Sequence, residues 1–179
     1  MINAVSTKKK LARNVANLFN NSTFKCIVTT DEKGAEIMGS LKNVMAIALG
    51  LAYELHTSIN TRAAMLAEAT KEISLIVKSL GGKPETISNF CGIGDIYLTC
   101  TDSKSRNFSF GKSIAQIGLK KTLSQNNKTV EGYNATKVAY KIISNKKINA
   151  PVLSEIYKVL YKEKNPKFFV ATVIKKIIK

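Results

Sequence analysis

The chain has 179 residues, of which 45% are apolar and 22% charged, enough to build one packed domain or one domain with a fragment of a second. Three prolines and ten glycines exclude collagen-like and Pro-rich architectures, and the formal charge of +16 is the outlying number. No uninterrupted apolar run reaches the ~20 residues of a membrane span. The longest, Val44 to Tyr53, has the length of a buried core helix. The start, MINAVSTKKK, lacks the charged-then-apolar order of a signal peptide, so a cytoplasmic location is expected. Three cysteines (Cys26, Cys91, Cys100) without CxxC spacing, and one histidine, make a disulfide framework or a zinc site poor readings. No metal is assigned.

In chain order, residues 7–20 place Leu11, Val15, Leu18 and Phe19 on one helix face. Phe24 to Thr30 is rich in β-branched and aromatic residues and reads as a strand without an obvious partner, which suggests missing chain or a two-stranded ribbon. From Asp31 onward the pattern is helical. Asp31 caps a helix to about Leu55, and Asn60 caps another with Leu66, Ala69, Ile73, Ile76 and Leu80 at helical spacing before Gly81-Gly82 ends it. Further helices are expected over 89–100, 105–118, 133–145, 152–161 and 166–178, the last opened by Asn165 and Pro166. Residues 120–130 are the most loop-like stretch. The expected fold is an all-α domain with a short α/β preamble.

Lys42 is the most informative residue. Between Ile37 and Tyr53 the only clearly polar side chains are Ser40, Lys42 and Asn43, and the apolar residues surround the helix instead of forming a stripe. A lysine there either snorkels through a gap in the packing or works chemically, since desolvation brings an ammonium towards neutral-pH proton exchange. A second cluster runs from Gly92 to Asn107. Asp95 follows two glycines, Thr99 lies one helical turn on, and Ser105, Arg106 and Asn107 stand at a helix start. A hydroxyl, a guanidinium and an amide beside backbone N–H groups can hold a phosphate; the plain alternative is a capping loop with a solvated arginine. Gly111-Lys112-Ser113 resembles the tail of a P-loop but lacks its first glycine, and no GxGxxG is present. The positive charge draws in anions of any kind. Its lysines, often doubled as in Lys120-Lys121 and Lys175-Lys176, follow the pattern of a solubilising surface, and nucleic-acid binding is the lesser reading.

Several motifs in order resemble one family. Gly39-Ser40-Leu41-Lys42-Asn43-Val44-Met45-Ala46-Ile47-Ala48, then Asn60-Thr61-Arg62-Ala63-Ala64, Gly81 to Thr86, Gly92 to Asp95, Leu98 to Asp102, Ser105 to Asn107 and Val130 to Tyr133 are similar to NAD(P)-dependent glycerol-3-phosphate dehydrogenase. The likeness runs from about Ser6 to about Val173 and lies in that family's C-terminal, substrate-binding part, with the N-terminal Rossmann domain missing. The resemblance implies a helical bundle of the 6-phosphogluconate dehydrogenase C-terminal-like type over residues 31–179, preceded over 1–30 by a helix-strand remnant of the nucleotide-binding domain.

It also implies interconversion of sn-glycerol 3-phosphate and glycerone phosphate by hydride transfer with NAD(P)H, feeding glycerophospholipid synthesis. By motif position Lys42 is the proton donor and acceptor. Lys42, Asn43, Asp95, Thr99, Ser105, Arg106 and Asn107 bind the substrate, and Arg106, Thr129 and Glu131 touch NAD or NADP. The expected partners are a phosphorylated three-carbon substrate and either a second copy or a separate nucleotide-binding chain. The alternatives are a non-catalytic remnant and a basic nucleic-acid binder. Two departures stand out: the family's D-N-T-R is Ile59-Asn60-Thr61-Arg62, and its R-N-R is replaced at Asn107-Phe108-Ser109.

Overall fold

The chain opens with a strand that its sequence does not announce. In the computed structural model, which describes residues 1–178, β1 (Ile2–Val5) pairs in parallel with β2 (Cys26–Thr29). Helix α1 (Lys9–Phe19) makes the crossover that parallel neighbours require, giving one βαβ unit. The expected helix-strand preamble is thus strand-helix-strand. Four residues, one of them Asn3, are too short a window for a period of two to register.

The apolar stripe of α1 faces away from this sheet. Ala12 and Ala16 are buried with Ala4 and Cys26, whereas Leu11, Val15, Leu18 and Phe19 are exposed, Leu18 at 82%. Small residues let the helix lie close to the two strands, and the large ones are left on the open side.

Asp31 ties the start of the second helix to the segment after the third. Its carboxylate accepts from Gly34 N at 3.0 Å, capping α2 (Glu32–Glu54) as expected. It also accepts from Lys83 N at 2.9 Å and Thr86 Oγ1 at 2.7 Å, beyond the Gly81-Gly82 turn that ends α3 (Ile59–Ser79). Burial pushes this carboxyl up, but the three donors outweigh it and hold it below its ordinary value. The cap of α3 is Ser58, whose hydroxyl accepts from Thr61 N, two residues before the expected Asn60.

Beyond α3 come α4 (Asp95–Thr101), α5 (Arg106–Ile117), α6 (Leu119–Gln125), α7 (Glu131–Lys146), α8 (Pro151–Tyr161) and α9 (Phe169–Ile177). Helices α3, α4, α5, α7 and α8 pack around α2, whose residues Val44 to Ala52 are all buried. By length and composition alone α2 could cross a membrane, but 67% of its most apolar stretch is buried in the bundle, the state of a core helix. Gly111 lies in the middle of α5, where a Cβ would come within 2.1 Å of the Ile47 carbonyl of α2. The P-loop-like tail is therefore a close-packing glycine. Helix α6 occupies residues read as loop, because seven residues carry no full amphipathic repeat. The last helix is preceded by a 3₁₀ turn, Pro166–Phe168, with Asn165 accepting from Lys167 N. Lys179, the final residue of the expected domain, lies outside the described residues.

Two fully buried carboxyls anchor α8. Glu72 of α3 accepts from Val152 N at 2.6 Å and Leu153 N at 3.0 Å, serving as the side-chain cap that α8 does not supply itself. Glu155 accepts from Lys158 at 2.7 Å, Lys164 at 2.5 Å and Lys176 at 2.6 Å, tying α8 to α9. Burial pushes Glu72 up to about 8. Burial also raises Glu155, but the three ammonium donors prevail and bring it to about 2.

Both carboxyls titrate near 4.5 in the unfolded chain. Folded Glu72 keeps a proton that the unfolded chain has lost, so stability falls as pH rises from about 4.5 to about 8. Folded Glu155 keeps a charge that the unfolded chain has lost, so stability also falls as pH drops from about 4.5 towards 2. Urea denaturation is predicted to show maximal stability near pH ~5. Glu72→Gln flattens the alkaline limb at a cost of about 1–3 kcal/mol, since one helix N–H loses its acceptor. Stability that climbs steadily from pH ~5 to ~8 would contradict this assignment.

Candidate active site

Four helices bring most of the predicted residues together. Lys42 and Asn43 lie midway along α2, Asp95 opens α4, Arg106 and Asn107 form the first turn of α5, and Glu131 opens α7. Lys42 Nζ is 2.5 Å from Asp95 Oδ2, with the two side chains 22% and 31% exposed. The lysine is thus neither in bulk water nor sealed in the core. Thr99, one turn along α4, donates its hydroxyl to the other Asp95 oxygen at 3.4 Å. Beneath the pair, Cys100 Sγ lies 3.7 Å from the Lys42 carbonyl, and burial pushes this thiol up to about 12, keeping it neutral.

Beside the ion pair runs a chain of amides whose orientations fix one another. Gly132 N can only donate, so Asn107 Oδ1 accepts it at 2.9 Å. Asn107 Nδ2 then donates to Asn43 Oδ1 at 2.9 Å, and Asn43 Nδ2 to Glu131 Oε2 at 3.2 Å. The other Glu131 oxygen stands 3.5 Å from the Arg106 guanidinium. Both asparagines are buried, while Arg106 and Glu131 are exposed. Helix α7 comes this near to α2 only because residue 132 is glycine: a Cβ there would lie 2.4 Å from the Asn43 carbonyl.

Other predicted residues stand apart. Ser105 caps α5, its hydroxyl accepting from Phe108 N at 3.3 Å. Thr129 is exposed on the loop before α7, and no side-chain hydrogen bond among the described residues ties it to the cluster. Asp95 and Arg106 border different grooves. Arg106 borders a groove of about 430 Å³ with Lys104 and Lys128, and Asp95 borders another of about 490 Å³ between the βαβ unit and the bundle. The second groove is lined by one residue that sequence reasoning missed. Asn3 Oδ1 accepts from Cys91 N at 2.9 Å, and its Nδ2 is buried without an acceptor. Nothing in a four-residue strand marks that side chain in advance.

The chemistry open to this arrangement is specific. A positioned ammonium can stabilise negative charge on an oxygen and hand it a proton. The N-terminus of α5, with Arg106 in its first turn, suits an anionic group. Because the amide chain depends on helix proximity, Gly132→Ala is predicted to cost about 1–3 kcal/mol in denaturant melts. A melt equal to wild type would mean that α7 can move off α2 freely.

Comparison with known proteins follows the same division of the chain. The family model described as NAD-dependent glycerol-3-phosphate dehydrogenase C-terminus matches residues 31–171. A glycerol-3-phosphate dehydrogenase of Malacoplasma penetrans, named for NAD(P)+, is 43% identical over 169 residues, which is 94% of this chain and 50% of that protein. Its counterpart in Francisella philomiragia is 34% identical, over 94% of this chain and 51% of the relative. The crystal structure of glycerol-3-phosphate dehydrogenase from Coxiella burnetii is similar with a TM-score of 0.87 at 27% identity, over 96% of this chain and 53% of that one. The chain spans about half the length of the curated relatives it matches. A family match over residues 31–171, on a fold shared with a solved relative, makes this chain a member of the NAD-dependent glycerol-3-phosphate dehydrogenase family, carrying its C-terminal domain.

Proposed function

We propose that this chain supplies the proton-transfer and substrate-binding half of an enzyme interconverting sn-glycerol 3-phosphate and glycerone phosphate. Its setting is the cytoplasm and its product serves glycerophospholipid synthesis. The observation that carries this reading is the Lys42–Asp95 pair at 2.5 Å, placed beside the Asn43–Asn107–Glu131 chain. Residues 1–30 are read as the end of a nucleotide-binding domain and residues 31–179 as the catalytic domain; the separate hydrophobic clusters of the two parts support that division. The exposed apolar stripe of α1 supports a further apolar mass against it. We read that mass as the rest of the nucleotide-binding domain, in the same polypeptide or a separate chain, and the active unit as including that domain, with a homodimer as the other expected assembly.

The residues present fit a nicotinamide. The groove beside Asp95 has apolar walls from Ile2, Val5 and Phe90, and the orphaned Asn3 Nδ2 offers a donor suited to a carboxamide oxygen. When bound, NADH or NADPH supplies the hydride. Lys42 meets the ketone oxygen as negative charge develops there and passes it a proton; in the oxidative direction the amine takes the proton back. Asp95 holds Nζ in place, and Thr99 holds Asp95. Asn43 fixes the neighbouring wall, and Ser105, Arg106 and Asn107 receive the substrate phosphate at the start of α5. Arg106, Thr129 and Glu131 face the cofactor side.

The test joins this chain to the unmatched N-terminal half of the Malacoplasma penetrans relative and follows NADH oxidation with glycerone phosphate. Turnover is expected, and Lys42→Ala lowers kcat by about 100- to 10,000-fold with the fold retained by circular dichroism. Unchanged turnover in that variant, or none in a folded, NADH-binding wild-type assembly, would overturn the proposal.

A further inference from the structure

A third cavity, of about 290 Å³, opens between α2, α3, α4 and α5 and shares no residue with the two grooves at the candidate site. Its floor is Leu49, Cys100 and Phe108, all nearly fully buried, and Tyr53, Leu66 and Tyr97 form its walls. The lining contains one cation, Arg62. A single guanidinium nitrogen donates to the Thr57 carbonyl, and the group lies 5.1 Å from the centre of the Tyr53 ring. No carboxylate among the described residues forms an ion pair with it. Lys112, 5.0 Å from the same ring, contrasts with it, being paired with Glu54 at 3.5 Å. Arg62 therefore keeps most of a planar donor fork free at the edge of an apolar chamber.

We propose that this cavity binds a small amphipathic anion, a carboxylate on a medium-length alkyl body. The alkyl part lies between Tyr53, Leu66 and Tyr97, and the carboxylate takes the open donors of Arg62. The charge complement picks out an anion over a neutral or cationic amphiphile. The volume lies at the lower edge of the ~300–1,000 Å³ usual for small-molecule sites, which restricts the body to a chain of medium length. Such a ligand bears on the candidate active site through its floor: Cys100 touches the Lys42 carbonyl, and Phe108 directly follows Asn107. The proposal does not depend on the reaction assigned above.

Isothermal titration of the chain with octanoate, kept below its aggregation concentration, tests it. One saturable site is expected, with 1-octanol and octylammonium binding at least about tenfold more weakly. Arg62→Gln weakens octanoate by a similar factor, and Ala63→Phe, which fills the cavity from an exposed position on α3, abolishes it. Lys112→Gln binds octanoate as wild type does. Absence of a saturable site, equal binding of octanol, or full binding by a folded Ala63→Phe chain would overturn the proposal. So would a chain that self-associates in sedimentation and is dispersed by Ala63→Phe, because a second copy would then fill the cavity.

Discussion

A cation halfway along a helix that the fold buries on nearly every side must be met, or the helix cannot sit where it does. The Lys42 side chain is 22% exposed, so its charge is only partly solvated and calls for a partner close by. Here the demand falls on Asp95, the first residue of a different helix, and it is satisfied at 2.5 Å. Asp95 is itself steadied by Thr99, so the position of α4 follows from where Lys42 emerges. The core helix and the polar site are thus one construction: the apolar residues of α2 fix its depth, and Lys42 and Asn43 bond to the helices that surround it.

The same logic places the other helices. Helices α5 and α7 approach α2 closely enough for side-chain amides to bond across the gap because Gly111 and Gly132 offer no Cβ to the α2 carbonyls. Close packing then allows Asn43 and Asn107 to be buried yet fully bonded, which leaves Glu131 to hold Arg106 at the surface. On the remote side, Glu72 and Glu155 fasten α8 and α9. These buried carboxyls titrate in opposite directions because burial prevails over two backbone N–H donors at Glu72, whereas three ammonium groups prevail over burial at Glu155.

Much of this was legible in the sequence, and the parts that were not share a cause. Lys42 stood out because a charge inside an apolar run breaks a local pattern. Asp31 and the Gly81-Gly82 stop were legible because capping chemistry is local. Strand β1 and helix α6 were missed because each is shorter than the window in which a period can be read. The stripe of α1 was legible as a stripe, but periodicity does not say which side the rest of the molecule occupies, and Ala12 and Ala16 took the buried side. Glu72 and Asn3 carry no sequence signal, since their partners lie 80 or more residues along the chain. The resemblance supplied Asp95, Arg106 and Asn107 as neighbours of Lys42, which spacing alone did not.

The proposed function requires Lys42 to sit where the reacting oxygen arrives and the start of α5 to take the phosphate. A crystal structure of this chain, assembled with a nucleotide-binding half and soaked with sn-glycerol 3-phosphate, measures it directly. The account predicts the secondary hydroxyl within about 2.6–3.2 Å of Lys42 Nζ and the phosphate on Arg106 and the α5 backbone. A phosphate seated on Lys42, or a substrate bound away from the Asp95 groove, would contradict it.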